Sequence, residues 1–528
     1  MKKRFWIFMA VVILLLSAEG AVASVNTEFL GELRIGLTSR YANLAAITFD
    51  NSEVVAGFER NGVFQPELII ESAAGFVASA DSSYYVAVGS FNGFQAAGLH
   101  AAALRAQGHR AAPAITAIDQ WTVFVGGFSS AGAAQPVSAS LGGTIVSPNN
   151  RRVVLMENNE NLVVFDVPGL PPQFTVWDGN ISLGERSYRG RIELMRVGAQ
   201  NLTAVNIVSM DHYLFSVVPS EMPSTWHIEA LKAQAVASRS YAAARRGGQG
   251  HTGFDLCDTT HCQVYLGVGA ERPRTTSAVN LTSGIMLWHQ NRPIEATFFS
   301  SSGGHTDNSE NVWTGTAPYL RAVADIHEGN PRVWSRVITL GDLDRALAAA
   351  GGASVGSATG MHIASSSNNR VQELVITGTA GSRTLRREEI RTFFQPITGG
   401  TLESRNFTLQ GGQVGQAAGV LGSNVVASDG NIMTAPTDLG QFFVVDQGGS
   451  VRAVTGAEGT LSVVSASGTG FFSLTQQQTV PTGSFLISGV GFGHGVGMSQ
   501  HGAQGMAENG FTFDQILRFY YTGIEVRR

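Results

Sequence analysis

The chain has 528 residues, of which 44% are hydrophobic and 14% charged, with a formal net charge of −5. That length implies several domains, and the apolar content is ample for sizeable cores. No basic tract is present, which argues against nucleic acid as a partner.

The first residues read as an export signal. Lys2, Lys3 and Arg4 form a basic start, and Phe5 to Ala18 is a near-continuous apolar run. Ala21-Val22-Ala23 then gives a small-x-small cleavage pattern before Ser24. The run is shorter than a comfortable span of about 20 residues, so cleavage after residue 23 is expected and the mature chain lies outside the cytoplasm. An uncleaved signal acting as a membrane anchor is the alternative.

Residues 24–81 read as a β-rich segment that includes Leu33–Leu37 (LRIGL). Two similar stretches follow about 37 residues apart, YYVAVGSF (Tyr84–Phe91) and WTVFVGGF (Trp121–Phe128). Their alternation of apolar and small residues suits strands with one buried face. An Ala-rich stretch follows each, the second weakened by Pro136. The order strand–helix–strand–strand–helix resembles a SPOR domain. That resemblance implies a βαββαβ module over 82–145 that binds peptide-free glycan strands, with alternate strand residues stacking on sugars. Any small α+β repeat gives the same pattern. Arg152–Val167 and Tyr188–Ser209 read as further strands, punctuated by Pro168, Pro171 and Pro172.

The stretch Ser220–Ala242 (SEMPSTWHIEALKAQAVASRSYA) places Glu221 in a short Pro-containing turn directly before a helix. Ala230, Ala233, Ala235, Ala237 and Ala242 dominate that helix, and Ile228, Leu231 and Val236 are its large apolar anchors. Such a helix packs very close to its neighbours. A carboxyl at its start is rigid and partly desolvated, which raises its pKa towards the general-acid range. A mere helix cap or ion-pair partner fits the same position. Met222, Pro223 and Trp226 are the candidates for an apolar wall. Glu229 is expected to meet Lys232 at i, i+3, and Asp211 to cap the segment His212–Val218.

Three further stretches carry candidate chemistry: FDLCDTTHCQVY (Phe254–Tyr265), SSSGGHTDNSENVW (Ser300–Trp313) and the Gly-dense run from Gly491 to Val526. Cys257 and Cys262 are the only cysteines. In an exported protein they suit one disulfide. With His251 and His261 they equally make a Cys2His2 set sufficient for structural zinc. A free dithiol is the third reading. The Ser300–His305 loop offers hydroxyls and Gly amides to sugar groups, and it lacks the G-x-S-x-G of a serine hydrolase. Trp313 suits either sugar stacking or a core. Gly491, Gly493, Gly495 and Gly497 let backbone approach a ligand closely. The end of the chain reads as an amphipathic helix with Phe513, Ile516, Leu517 and Tyr520 inward, then a strand. Residues 411–484 are rich in Gly, Ser, Thr and Val without helical period, and read as a β-rich insertion.

With the lead-in MDHYLFSVVP, these four motifs resemble, in order, those of the SpoIID/LytB family of bacterial cell-wall proteins. The resemblance implies an α+β, multidomain chain: the small SPOR-like module, then a mixed α/β SpoIID-type catalytic region over 150–528 with the insertion inside it. It implies a lytic transglycosylase that cleaves peptidoglycan and leaves 1,6-anhydro-N-acetylmuramic acid ends, with Glu221 as general acid and base. It favours zinc on His251, Cys257, His261 and Cys262. It places Ser300, Ser301, Ser302, His305, Asn308, His494, Ser499 and Gln500 at the substrate. Two positions depart from the family's pattern: Phe299 stands where members often carry His, and His501 where they commonly carry an aromatic residue. The expected partners are glycan strands and a wall amidase, and the expected location is secreted or wall-associated. The alternative function is a non-catalytic wall-binding protein that enhances an N-acetylmuramoyl-L-alanine amidase.

Overall fold

A computed structural model describes residues 29–248, 250–352, 354–411 and 483–528, together with short strands between 424 and 473. The expected export signal lies outside the described residues. Among them, no helix is long and apolar enough to cross a membrane.

The architecture is α+β and multidomain. A seven-stranded sheet runs, edge to edge, Leu256–Cys257, Leu33–Gly36, Asn201–Val208, Arg191–Val197, Gln173–Thr175, Glu53–Arg60 and Val63–Glu71. The strand Leu33–Gly36 pairs antiparallel to Asn201–Val208 and parallel to Leu256–Cys257, which sets Gly36 opposite Cys257. The opening strand thus positions the cysteine loop.

An eight-stranded sheet contains the expected βαββαβ order: Tyr84–Phe91, helix Phe94–Ala106, Ala111–Ala117, Gln120–Phe128, helix Ala131–Leu141 and Thr144–Val146. Pro136 is accommodated inside the second helix, which Ser130 caps by accepting from the Ala133 N–H at 3.1 Å. This unit does not end at its expected edges. Ala111–Ala117 pairs in parallel with Glu160–Phe165, so Phe76–Ala80 and Val153–Glu157 extend the same sheet. One core joins Ile47 and Phe49, Ala97 and Leu104, and Val208 and Tyr213 across both sheets.

Nor is the aromatic sheet face open. Tyr85 and Phe124 are buried, and the Arg152 guanidinium covers both rings at 5.1 and 5.3 Å. Arg152 is itself fully buried. It donates to Asp166 at 2.9 and 3.0 Å and to the Ser83 and Ser147 carbonyls at 2.7 and 3.0 Å. The expected sugar-stacking positions on these two strands are therefore occupied by the protein's own cation.

A second core packs helix Ile228–Ala244 against Gln500–Glu508 and Phe513–Tyr520, through Leu231, Ala237, Met498, Met506 and Leu517. The alanines allow this close approach, since small side chains let helix backbones come together. Ile516, Leu517 and Tyr520 point inward as expected, and Glu525–Arg527 then pairs with Met286–His289. A third core belongs to a β-rich unit: Val333–Thr339, helix Leu340–Ala350, Ala358–Ser367, Arg370–Gly378 and Gly381–Arg386. There Phe407–Gly411 pairs with Ser484–Val490 and sets Gly411 opposite Phe485. The segment between them leaves and returns at adjacent points.

Arg152→Ala removes the fully buried cation paired with Asp166, leaving Arg151 and Asn149 on that carboxylate, and uncovers two aromatic rings. It is expected to lower stability by about 3–5 kcal/mol, read as a fall in the thermal unfolding midpoint.

Candidate active site

Glu221 sits differently from the sequence expectation. It is the last residue of helix Met210–Glu221, and the Pro223 turn follows it. The alanine helix starts later, at Ile228, with His227 as its cap. Ser209, and not Asp211, caps the first helix by accepting from the His212 N–H. Asp211 instead pairs with the fully buried Arg239 of the alanine helix at 3.0 Å and so clamps the two helices together. Glu229 meets Lys232 at 2.6 Å as expected, and its other oxygen accepts the Phe513 N–H at 2.8 Å.

Glu221 opens onto a cleft of about 700 Å³. Burial pushes its carboxyl up to about 7, and a single hydrogen bond from the Val264 N–H, 3.2 Å to Oε1, opposes the shift. The helix C-terminus adds its negative dipole end, which acts in the same direction as burial. The Glu221 carbonyl accepts from Gln500 Nε2 at 3.1 Å, so the helix end is closed by a side chain. The 263–266 strip is pinned to the same helix: Tyr213 Oη donates to Gln263 at 3.2 Å, and the Leu266 N–H donates to Ser216 at 3.1 Å.

The apolar wall around Glu221 comes from Val264, Phe298, Leu320 and Trp313. Of the expected wall residues, Met222 is in the core and Trp226 packs edge-on against His501 at 4.9 Å, away from the cleft lining. The cleft is completed by Tyr241, Arg245, Glu295, Ser309, Tyr319 and His494. Glu295 is the second carboxylate on this surface. It already accepts from Arg245 Nε at 2.8 Å and from Arg245 Nη2.

Among the expected substrate contacts, His494 lines the cleft, where its ring lies 5.1 Å from Trp313 and 5.5 Å from Phe299. The others hold the protein together. Ser301 pairs through its backbone with Phe492, and Ser302 donates to Glu328 at 2.6 Å; both serines are buried. The Ser300 carbonyl accepts the His501 N–H, and His305 Nδ1 lies 2.7 Å from the Thr306 carbonyl. Asn308 accepts from the Ala322 N–H, and buried Ser499 caps helix Gln500–Glu508. Gln500 bridges Glu221 and Gln234. Tyr241, Arg245 and Glu295 escaped the sequence reading. The i, i+4 spacing of Tyr241 and Arg245 on the alanine helix was the available signal.

His251, Cys257, His261 and Cys262 come together with their ligand atoms within 4.8 Å of one another. The two sulfurs are 3.1 Å apart and not bonded. Cys262 Sγ lies 3.2 Å from His251 Nε2 and 3.5 Å from His261 Nδ1, and Cys257 Sγ lies 3.6 Å from the same His261 nitrogen. Ligand-to-ligand spacings of about 3.3–3.8 Å follow from Zn–N of about 2.0–2.1 Å and Zn–S of about 2.3 Å in a tetrahedron. The donor set is one that zinc takes, and its atoms are gathered into a space of that scale, from 3.1 Å apart up to 4.8 Å. The hydrogen bond from the Cys262 thiol drives the Cys257 thiol well below the usual range, towards the thiolate that a metal requires. His261 and Cys262 also border the cleft.

A cleft with one protonatable carboxyl beside a compact Cys2His2 cluster, on this α+β scaffold, defines a class. The model of the family described as SpoIID: Stage II sporulation protein matches residues 198–289, the span that carries both features. Over residues 198–289 the chain is therefore similar to the SpoIID family. It is 30% identical over 314 residues to an amidase enhancer of Bacillus subtilis, covering 59% of this chain and 39% of that protein. It is 27% identical over 342 residues to stage II sporulation protein D of the same organism, covering 61% of this chain and 76% of that protein. The Bacillus amyloliquefaciens stage II sporulation protein D is similar to the same degree, 27% over 342 residues. This chain thus spans about two fifths of the amidase enhancer's length.

The raised carboxyl has a consequence for stability. The folded state holds the Glu221 proton more tightly than the unfolded chain, so stability falls as pH rises from about 4.5 to about 7. Glu221→Gln removes that penalty. The variant is expected to be more stable than the parent by about 1–3 kcal/mol above pH 7 and nearly equal below pH 4.5. Denaturant unfolding at pH 4 and pH 8 reads both.

Proposed function

We propose that the protein is an exported lytic transglycosylase acting on peptidoglycan glycan strands. The observation that carries this reading is the buried carboxyl of Glu221 on the cleft, with burial pushing it up to about 7. Hydrolytic glycosidases usually use two carboxyls, one as acid and one as base or nucleophile. Here the second, Glu295, is engaged by Arg245 through two N–H groups. One acid suffices when the substrate supplies its own nucleophile. Glu221 gives its proton to the glycosidic oxygen as the bond from C1 of N-acetylmuramic acid breaks. The C6 hydroxyl of the same sugar attacks C1, and its proton passes to the Glu221 carboxylate. A 1,6-anhydro end is left, and the acid is restored. Trp313 and Tyr319 offer ring faces for sugars along this cleft.

The Cys2His2 cluster holds zinc in this reading. His251, Cys257, His261 and Cys262 would hold it, and its role there would be structural, tying the 251–262 loop together. The loop continues directly into Val264, whose N–H holds Glu221. Metal analysis of protein purified without chelator is expected to give about one zinc per chain, with both thiols protected until the metal is stripped. A mass two hydrogens below the reduced chain, without metal, would show a disulfide instead.

The relative named amidase enhancer supports a second reading, a wall-binding protein that acts through an amidase. The two separate cleanly. Peptide-free glycan digested by the enzyme should carry 1,6-anhydro ends by mass spectrometry, and Glu221→Gln should fold but lose about 10²–10⁴-fold in rate. Activity should also decline above pH 7 as Glu221 ionises. Intact glycan after digestion, with stimulation of an added amidase, would favour the enhancer.

A further inference from the structure

The β-rich unit of residues 333–411 meets the loops beside the cleft through two arginines that the mechanism above does not use. Arg370 and Arg405 are both fully buried. Arg370 donates through Nη2 to the Ser302 and His305 carbonyls at 2.7 and 3.0 Å. Its Cζ would meet a Cβ on Gly495 at 2.5 Å, so the glycine backbone, at φ +88°, lies directly against the guanidinium. Arg370 Nε and Nη1 find no acceptor among the described residues. Arg405 pairs with the fully buried Asp307 at 2.6 Å, and the Asp307 N–H in turn donates to the Gly495 carbonyl at 2.7 Å. The Gly493 N–H donates to the Glu403 carbonyl at 2.7 Å. The glycine loop is thus tied to the β-rich unit on both sides of His494, through Gly493 to Glu403 and through Gly495 to Asp307 and Arg405, besides its backbone pairing with Ser301. Burying charges at this depth costs several kcal/mol per ion unless they are well paired, and orphaned guanidinium N–H groups add to that cost. An apolar core would fill the same space more cheaply.

We propose that Arg370 and Arg405 are positioning residues of the cleft, holding the loop 491–497 so that His494 stands as a neutral ring of the wall it shares with Glu221. His494 Nδ1 accepts the Val496 N–H at 3.1 Å, which puts the ring's single proton on Nε2. Burial first, then the charge of Arg391 and more weakly those of Arg370 and Arg405, push its basicity down to about 3, against a hydrogen bond to the Phe298 backbone that raises it. The other charged or titratable groups that share the cleft lining with it are Glu221, Glu295, Arg245, His261, Tyr241 and Tyr319, and Asp307 bonds the neighbouring Gly495 carbonyl. A cation at His494 would draw Glu221 towards its carboxylate form and remove the acid. The arginines thus serve Glu221 through His494 and touch no substrate themselves. This inference rests on the reading of Glu221 above for its activity arm only.

The test uses the full chain with histidine-selective 13C labelling, the His494 resonance being assigned by its loss in His494→Gln. In the wild type His494 should remain neutral down to about pH 4. A midpoint above pH 5 in the wild type overturns the proposal, whatever any variant does. Arg370→Gln removes the charge and should raise the His494 midpoint by about one unit or more. On peptide-free glycan the acid limb of kcat should move up in pH by the same amount as the His494 midpoint, with KM changed less than twofold. Arg370→Lys keeps the charge and should restore both. A folded Arg370→Gln with the wild-type His494 midpoint and pH profile overturns it. If the wild type cleaves no glycan, the transglycosylase reading fails, and the two His494 midpoints still decide this one. If Arg370→Gln does not fold, Arg391→Gln, which leaves the loop's hydrogen bonds intact, should raise the midpoint in its place; no rise there also counts against the proposal.

Discussion

The site depends on one constraint: a carboxyl must be kept out of water without being given a cation. Glu221 meets it by ending a helix. The helix C-terminus supplies a negative dipole end, and the only hydrogen bond to the side chain is one neutral backbone N–H from Val264. Arg245 lines the same cleft, yet it is engaged by Glu295. Were it to pair with Glu221 instead, that carboxyl would be held ionised and could not act as an acid.

Three remote stretches build this arrangement. The alanine helix brings Tyr241 and Arg245 to the cleft, the cysteine loop brings Val264, and the last motif brings Gln500 and His494. Their meeting is possible because small residues permit it. A Cβ on Gly502 would lie 2.0 Å from the Tyr520 hydroxyl, and one on Gly505 would lie 1.9 Å from the His327 carbonyl. The glycines of the final motif therefore serve helix packing as much as ligand approach.

Much of this was legible in the chain. The βαββαβ order followed from the repeat of YYVAVGSF and WTVFVGGF, and the pairing of Glu229 with Lys232 followed from spacing alone. The four metal-type ligands are close in sequence, so their convergence needed only a tight loop. Other features were not legible, for physical reasons. Glu221 reads as a helix start because Pro223 follows it, but Pro219 is tolerated in the preceding helix and the turn falls after Glu221. The serines of SSSGGH read as sugar contacts, yet Ser301 and Ser302 are buried by the β-rich unit, whose partners lie dozens of residues away. The extent of the eight-stranded sheet depends on the parallel pairing of Val164 with Ala114, a long-range contact that no local pattern announces.

The central claim is that the Glu221 carboxyl keeps its proton up to about pH 7 in the resting protein. The most direct measurement is a difference infrared titration of the carboxyl stretch, wild type minus Glu221→Gln, from pH 4 to pH 9. A protonated carboxyl band that is lost with a midpoint near 7, and is absent from the variant, is the predicted result. A midpoint near the ordinary glutamate value of about 4.3 would contradict it.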